Sequence, residues 1–145
     1  ATLQSLLKNS VQSVPIMLRL HPFAKLSYGV RRWIRLSIDK GDICMSKDDS
    51  SLIADLESAI AVVGMSTTVL EEALLLGCPV IQLQHPDYRS FIDIDGVEGV
   101  MKMDYRKLLA KVLIEASTLT VDYVGMRKRL GLLNDIVDYK RLFTG

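Results

Sequence analysis

The run Val62-Val63-Gly64-Met65-Ser66-Thr67-Thr68-Val69-Leu70-Glu71-Glu72-Ala73-Leu74-Leu75-Leu76-Gly77-Cys78-Pro79-Val80-Ile81 restricts the fold more than any other part of the chain. Ahead of it, Ala59 to Val63 has the length and β-branched content of a buried strand. Gly64 then permits a sharp turn, and three hydroxyl residues follow. An apolar-rich segment with two glutamates predicts a helix ending at Gly77, with Pro79 barring its continuation. A second buried strand is expected over Pro79 to Leu83. Such a strand–turn–helix–strand unit sets a helix N-terminus at the carboxyl end of a strand. In open parallel sheets that is where ligands bind.

The turn is chemically suited to an anion. The first N–H groups of a helix have no partner inside it, and the macrodipole adds about half a positive charge there. Ser66, Thr67 and Thr68 supply hydroxyl donors beside those amides, a combination that receives phosphate well. A plainer reading also fits: Thr68-Val69-Leu70-Glu71 has the form of a capping box, with Thr68 as cap and Glu71 reaching back. Glu72 lies on a helix whose other positions are mostly apolar, so it is expected near a buried surface. An acid there accepts hydrogen bonds from ligand hydroxyls, such as a ribose, as well as from protein donors.

The sequence from Gly64 through the hydroxyl cluster, then Glu72, Gly77 and Pro79-Val80-Ile81, resembles the donor-nucleotide motif of GT-B glycosyltransferases. It is also similar to the matching stretch of UDP-N-acetylglucosamine 2-epimerases, which share that fold. The resemblance implies that Ser66, Thr67 and Thr68 bind donor phosphates and that Glu72 holds the ribose. Glu72, and not Glu71, stands five residues before the helix-ending glycine as the motif requires. A second likeness lies upstream, where a strand over Val14 to Leu20 is expected to end in Arg19-Leu20-His21-Pro22. His21 followed by Pro22 resembles the His-Pro motif of bacterial sialyltransferases, polysialyltransferases and polymer glycerophosphotransferases, whose histidine contacts the donor phosphate. A histidine bonding a loop carbonyl is the alternative.

The remaining segments are read from periodicity. Leu3 to Asn9 reads as the end of a helix, and the abrupt start suggests a fragment of a longer protein. Phe23 to Leu36 sets Leu26, Val30, Trp33 and Ile34 at helical spacing with Lys25, Arg31, Arg32 and Arg35 interleaved, an amphipathic helix with a basic outer face. An anionic membrane surface or a phosphate-bearing acceptor suits such a face; a solvated face with Trp33 anchored in the core is the alternative. A short strand over Asp42 to Ser46 leads to a turn in which Asp48 and Asp49 read as capping residues. A helix with the apolar stripe Leu52, Ile53, Leu56 and Ala59 follows.

Beyond the second core strand, the loop Gln84 to Ser90 offers amide, imidazole, phenol and guanidinium groups at the carboxyl end of a strand. The resemblance implies that this loop touches the donor's sugar or phosphates, with Gln84 and Arg89 as its candidate contacts and an ordinary polar loop as the alternative. Asp93, Asp95 and Glu98 lie close together but lack the spacing of a calcium loop, and no metal or other cofactor is predicted. A last strand over Val100 to Met103 ends at Asp104, expected to cap a helix from Tyr105 to Ala116. A helix over Val121 to Leu133 and an apolar tail from Asp135 complete the pattern.

Strand and helix alternate about five times, which argues an α/β fold: a Rossmann-like parallel sheet with helices on both faces, three layers in all. The 145 residues, 49% hydrophobic and 24% charged, suffice for one domain. The net charge of +1 gives no electrostatic footprint for nucleic acid. No apolar run approaches a membrane span of about 18 residues, and no signal-peptide pattern opens the sequence. Cys44 and Cys78 read as lone thiols.

The resemblance implies the carboxyl-terminal, donor-binding half of a glycosyltransferase of bacterial surface polysaccharide or glycoconjugate biosynthesis. Its donor would be UDP- or CMP-linked, its partner a missing N-terminal domain, and its place the cytoplasm or the inner face of the membrane. The fragment is expected to bind donor without turnover, the general base coming from the other half. A sugar-nucleotide epimerase, a CDP-alditol phosphotransferase and a non-catalytic, partner-binding Rossmann-like domain stand as alternatives.

Overall fold

The computed structural model of the chain describes residues 14–21, 23–47, 51–108 and 110–132. The expected helix end at Leu3 to Asn9, Pro22, the Asp48–Asp49 pair and the tail from Asp135 lie outside the described residues. The chain divides into two compact units, Ser10–Ser50 and a second formed by Ala1–Asn9 with Ser51–Gly145.

In the Ser10–Ser50 unit, β1 (Met17–Leu18) pairs in parallel with β2 (Cys44–Met45), Met17 opposite Cys44. Both strands are shorter than the expected Val14–Leu20 and Asp42–Ser46. Between them runs α1 (Tyr28–Asp39), which starts five residues later than its apolar spacing suggests. Ser27 explains the shift, because its Oγ accepts the amide of Val30 at 3.4 Å and caps the helix there. Ile34 and Ser37 are buried on its packed face, and Trp33 is half-buried.

The second unit carries the sheet. Its helices and strands run α2 (Leu52–Ser58), β3 (Val62–Gly64), α3 (Val69–Leu75), β4 (Val80–Gln84), β5 (Val100–Asp104), α4 (Ala110–Ser117) and α5 (Tyr123–Arg129). The sheet is parallel throughout, in the order β3–β4–β5, with Val62 opposite Val80 and Val80 opposite Val100. Val80, Ile81, Gln82 and Leu83 of the central strand are all buried. Successive side chains of a strand point to opposite faces, so both faces of β4 are covered, as parallel sheets require. On one face Val80 joins Leu56, Leu70, Ala73, Leu74, Cys78, Ile94 and Met126 in a single core, which α3 and α5 close together. Helix α4 also packs against β4 and buries Val112, Leu113 and Ala116. The fold class is therefore α/β with a parallel sheet and helices around it.

Boundaries in the sheet unit also differ from the sequence reading: β3 begins at Val62 and not at Ala59, which closes α2. Asp104 caps a turn of 3₁₀ helix, Tyr105–Lys107, and α4 begins only at Ala110. Asp122 caps α5 through the amide of Gly125 at 2.8 Å, shortening the expected Val121–Leu133 helix from its start. The end of α3 matches expectation. Gly77 adopts φ +79°, the left-handed conformation that closes a helix, and the Gly77 amide donates to Leu74 O at 3.0 Å.

Candidate functional site

Six of the seven candidate residues belong to the sheet unit, grouped around the carboxyl ends of β3 and β4. Strand β3 ends at Gly64. A Cβ there would lie 3.0 Å from both Thr67 Cγ2 and Leu70 Cδ2, so the glycine lets the following turn and helix fold back tightly over the strand. Leu70 is fully buried and cannot give way easily.

The three hydroxyls of the turn have different fates. Ser66 Oγ accepts the amide of Phe91 at 2.8 Å, tying the turn to the loop that follows β4. Thr67 Oγ1 accepts the amide of Val69 at 3.3 Å, and Thr67 O accepts that of Leu70 at 3.1 Å. Thr68 has helical backbone angles, φ −60° and ψ −18°, and makes no capping bond. The capping box is thereby corrected: a residue already inside the helical region cannot direct its side chain back to the N3 amide, and Thr67 takes over the local role. Thr68 remains exposed. One turn further along, Glu72 is half-buried with its Oε2 atom buried.

The loop after β4 is pinned from beneath. Gln82 is a buried polar residue in the middle of the central strand, 2% exposed. Its Nε2 donates to Ser90 Oγ at 2.9 Å and to Ile92 O at 3.2 Å. Ser66 and Gln82 together hold the far end of this loop. Its near end is aromatic: His85 Nδ1 accepts the amide of Asp87 at 3.1 Å, and the imidazole lies 4.5 Å from the Tyr105 ring and 4.8 Å from that of Tyr88. An acceptor Nδ1 places the proton of the neutral ring on Nε2, leaving an N–H donor on the other side. Gln84 and Arg89 are both exposed, Gln84 at the last ladder position of β4 opposite Asp104.

Asp104 and Arg106 form the next group along the same sheet edge. Arg106 donates from Nε to Asp104 Oδ1 at 2.9 Å and from Nη2 to Oδ2 at 2.6 Å, while the Arg106 amide donates to Oδ1 at 2.9 Å. These bonds hold the Asp104 carboxyl well below the usual carboxylate range and push the guanidinium further up. The guanidinium also stands 5.7 Å from the Tyr105 ring centre.

Neither Asp93 nor Asp95 stands alone. Asp93 pairs with Arg129 at 3.1 Å, Asp95 pairs with Lys102, and Asp95 O accepts from Arg129 Nη1 at 2.6 Å. Among the described residues no group of three metal-ligating side chains stands together.

His21 belongs to the other unit. It is exposed, its Nδ1 accepts the amide of Phe23 at 3.2 Å, and its carbonyl accepts that of Ala24 at 2.9 Å. Its ring is 5.6 Å from that of Phe23.

The roles of His85, Tyr105 and Gln82 do not follow from the sequence reading. For Gln82 a signal exists, an amide inside the otherwise apolar run Val80 to Leu83. For His85 and Tyr105 the signal is the parallel register, which brings together whatever follows Gln84 and Asp104. Compared with family models, with curated proteins and with solved structures, the chain matches none. Among the described residues no helix is long and apolar enough to cross a membrane.

Proposed function

We propose that the sheet unit is the nucleotide-sugar-binding part of a GT-B-type glycosyltransferase of bacterial surface polysaccharide or glycoconjugate synthesis, working in the cytoplasm or at the inner face of the membrane. The observation that carries this reading is the half-buried Glu72, one helical turn beyond an exposed Thr68, on a helix that Gly64 admits close over a strand end. In this reading the Thr68 hydroxyl and the neighbouring amides receive the donor's phosphates. The Glu72 carboxylate accepts the ribose hydroxyls. Gln84 and Arg89 border the sugar from the loop after β4. Helix α3 has only seven residues, so fixed donors rather than a long macrodipole supply the attraction. Those donors would also stabilise the charge on the departing nucleotide. The general base would come from a separate domain, so this chain binds donor without turning it over.

One observation favours a second reading, a non-catalytic Rossmann-like domain that binds a partner. Ser66 and Thr67 both spend their hydroxyl oxygens on internal bonds, which a purely structural turn would also do.

A thermal-shift titration with UDP, CMP, CDP, GDP and ADP separates the two. A nucleotide at about 100 times its dissociation constant adds roughly 2.7 kcal/mol of stability. For a chain of this size that raises the midpoint by roughly 5–10 °C. The expected result is a rise with one nucleotide that Glu72→Ala removes. CDP alone raising the midpoint would redirect the reading to an alditol phosphotransferase. A flat response across the panel would leave the partner-binding domain.

A further inference from the structure

We propose that the Ser10–Ser50 unit carries a second binding surface, a docking site for an anionic lipid bilayer. The unit holds an open cleft of about 770 Å³, all of whose lining residues lie within it. Leu20, Ile34 and Met45 give the cleft apolar walls, and Lys25, Arg31 and Arg35 bring three cations to it.

Charge is distributed unevenly. Ser10–Ser50 contains seven lysines and arginines against four acids, a net +3, while the rest of the chain carries eleven against thirteen, a net −2. Among the described residues no acid pairs with Lys25, Arg31, Arg32 or Arg35. Arg31 and Arg35 stand at i, i+4 on α1, and Arg32 and Arg35 at i, i+3, spacings at which like charges repel. Asp39 stands at i, i+4 from Arg35 on the same helix but makes no salt bridge with it, so the cations form an arc without a paired acid among the described residues. Arg31 is also held in place, its Nε donating to Leu26 O at 3.1 Å.

The apolar groups decide between a bilayer and a soluble anion. Phe23 is 85% exposed and Tyr28 is 77% exposed, and both belong to the segment that contributes Lys25 and Arg31 to the cleft. A soluble phosphate would satisfy the cations and leave these rings in water. A bilayer satisfies both, because headgroup phosphates meet the cations while aromatic rings enter the interface. The attraction is of the kind that juxtamembrane basic clusters show toward anionic leaflets.

The test is co-sedimentation of the full chain with vesicles of phosphatidylcholine alone and of phosphatidylcholine mixed with phosphatidylglycerol. Binding should be confined to the mixed vesicles and should weaken as salt is raised. Arg31→Gln/Arg35→Gln should weaken it about fivefold for each arginine removed. Phe23→Ser should weaken it without changing its salt dependence. Lys107→Gln/Lys111→Gln, an equal loss of charge from exposed positions of the sheet unit, should leave it within about twofold, and circular dichroism checks that each variant is folded. The proposal is overturned by absence of binding to mixed vesicles, by equal binding to neutral ones, or by equal weakening in the Lys107/Lys111 control.

Discussion

The two units differ in how much of their positive charge is paired. In the sheet unit Lys102, Arg106 and Arg129 each meet a carboxylate: Asp95, Asp104 and Asp93. In the Ser10–Ser50 unit four cations cluster on and beside one helix with no acid among the described residues to meet them. Their interiors differ in the same sense. The sheet unit buries Leu70, Leu74, Val80, Ile81, Ile94 and Met126 completely, whereas the described core of the other rests on Ile34, Ser37 and Ile43. The sheet unit also leaves Arg89, Lys107, Lys111, Tyr88 and Phe91 in water, so the contrast lies in the ion pairs that brace its edge and in the depth of its interior.

The largest expected effects come from interiors. Leu70→Ala should cost about 3–5 kcal/mol, because a fully buried leucine in a packed cluster leaves a cavity its neighbours fill poorly. Ile34→Ala, at a site 8% exposed, should cost about 2 kcal/mol. Urea midpoints measure both losses, and hydrogen exchange localises them: β4 amides should lose protection in the first variant and α1 amides in the second. Equal costs would remove the asymmetry between the two interiors.

The cysteines give the next contrast, one in each unit. Cys44 is exposed, while Cys78 is buried with its Sγ donating to Ala59 O at 3.6 Å. Burial pushes the Cys78 thiol up to about 11 from an ordinary value of 9.0. Two units of pKa lower the thiolate fraction about a hundredfold at neutral pH, before any steric protection. A disulfide-exchange reagent should therefore label Cys44 at once and Cys78 only on unfolding. The same shift has a sign for stability. The unfolded chain releases this proton first, so the contribution is intact below pH 9 and is lost as pH rises toward 11. Rapid labelling of both thiols in the folded protein would show that the sheet unit opens more readily than its packing implies.

How much of this was legible in the sequence depends on the distance over which each residue acts. Gly77 ends α3 as read, because a left-handed closing residue is a local requirement. The two core strands flanking α3 are legible for a similar reason, since a buried parallel strand is an apolar run. The start of α1 is not, because apolar spacing continues back to Phe23 while the cap that starts the helix is Ser27. Asp104 is a cap as its position suggests, yet it caps a 3₁₀ turn, and its partner Arg106 two residues on determines its charge state. Ser66 has the chemistry of a ligand donor, but its bond to Phe91 spans twenty-five residues that no local pattern connects. The hydroxyl cluster is visible in the sequence, while which of its members are already engaged depends on tertiary structure.

The smallest expected effects concern single surface charges, and they separate the two units most directly. Asp104 has its carboxyl lowered first by the side-chain bonds from Arg106 and then by the Arg106 amide. A lowered folded-state pKa stabilises above the unfolded value of about 3.9 and loses that contribution as pH falls toward the folded value. Arg106→Ala should thus be slightly less stable than the parent at neutral pH, with the gap narrowing as pH falls below about 4 and closing only where the parent's Asp104 is protonated as well. A gap independent of pH would mean that the arginine acts through packing of its stem. Arg32→Ala should do the reverse. Relieving the Arg32–Arg35 repulsion should raise stability by about 0.2–0.5 kcal/mol at low salt, with no acid limb because no acid stands three or four residues from Arg32 on α1, and the gain should fade as salt screens the pair. If Arg32→Ala instead destabilised with the pH profile of Arg106→Ala, then an acid would face Arg32 after all, and the cationic arc would be a compensated surface rather than one kept for an anionic partner.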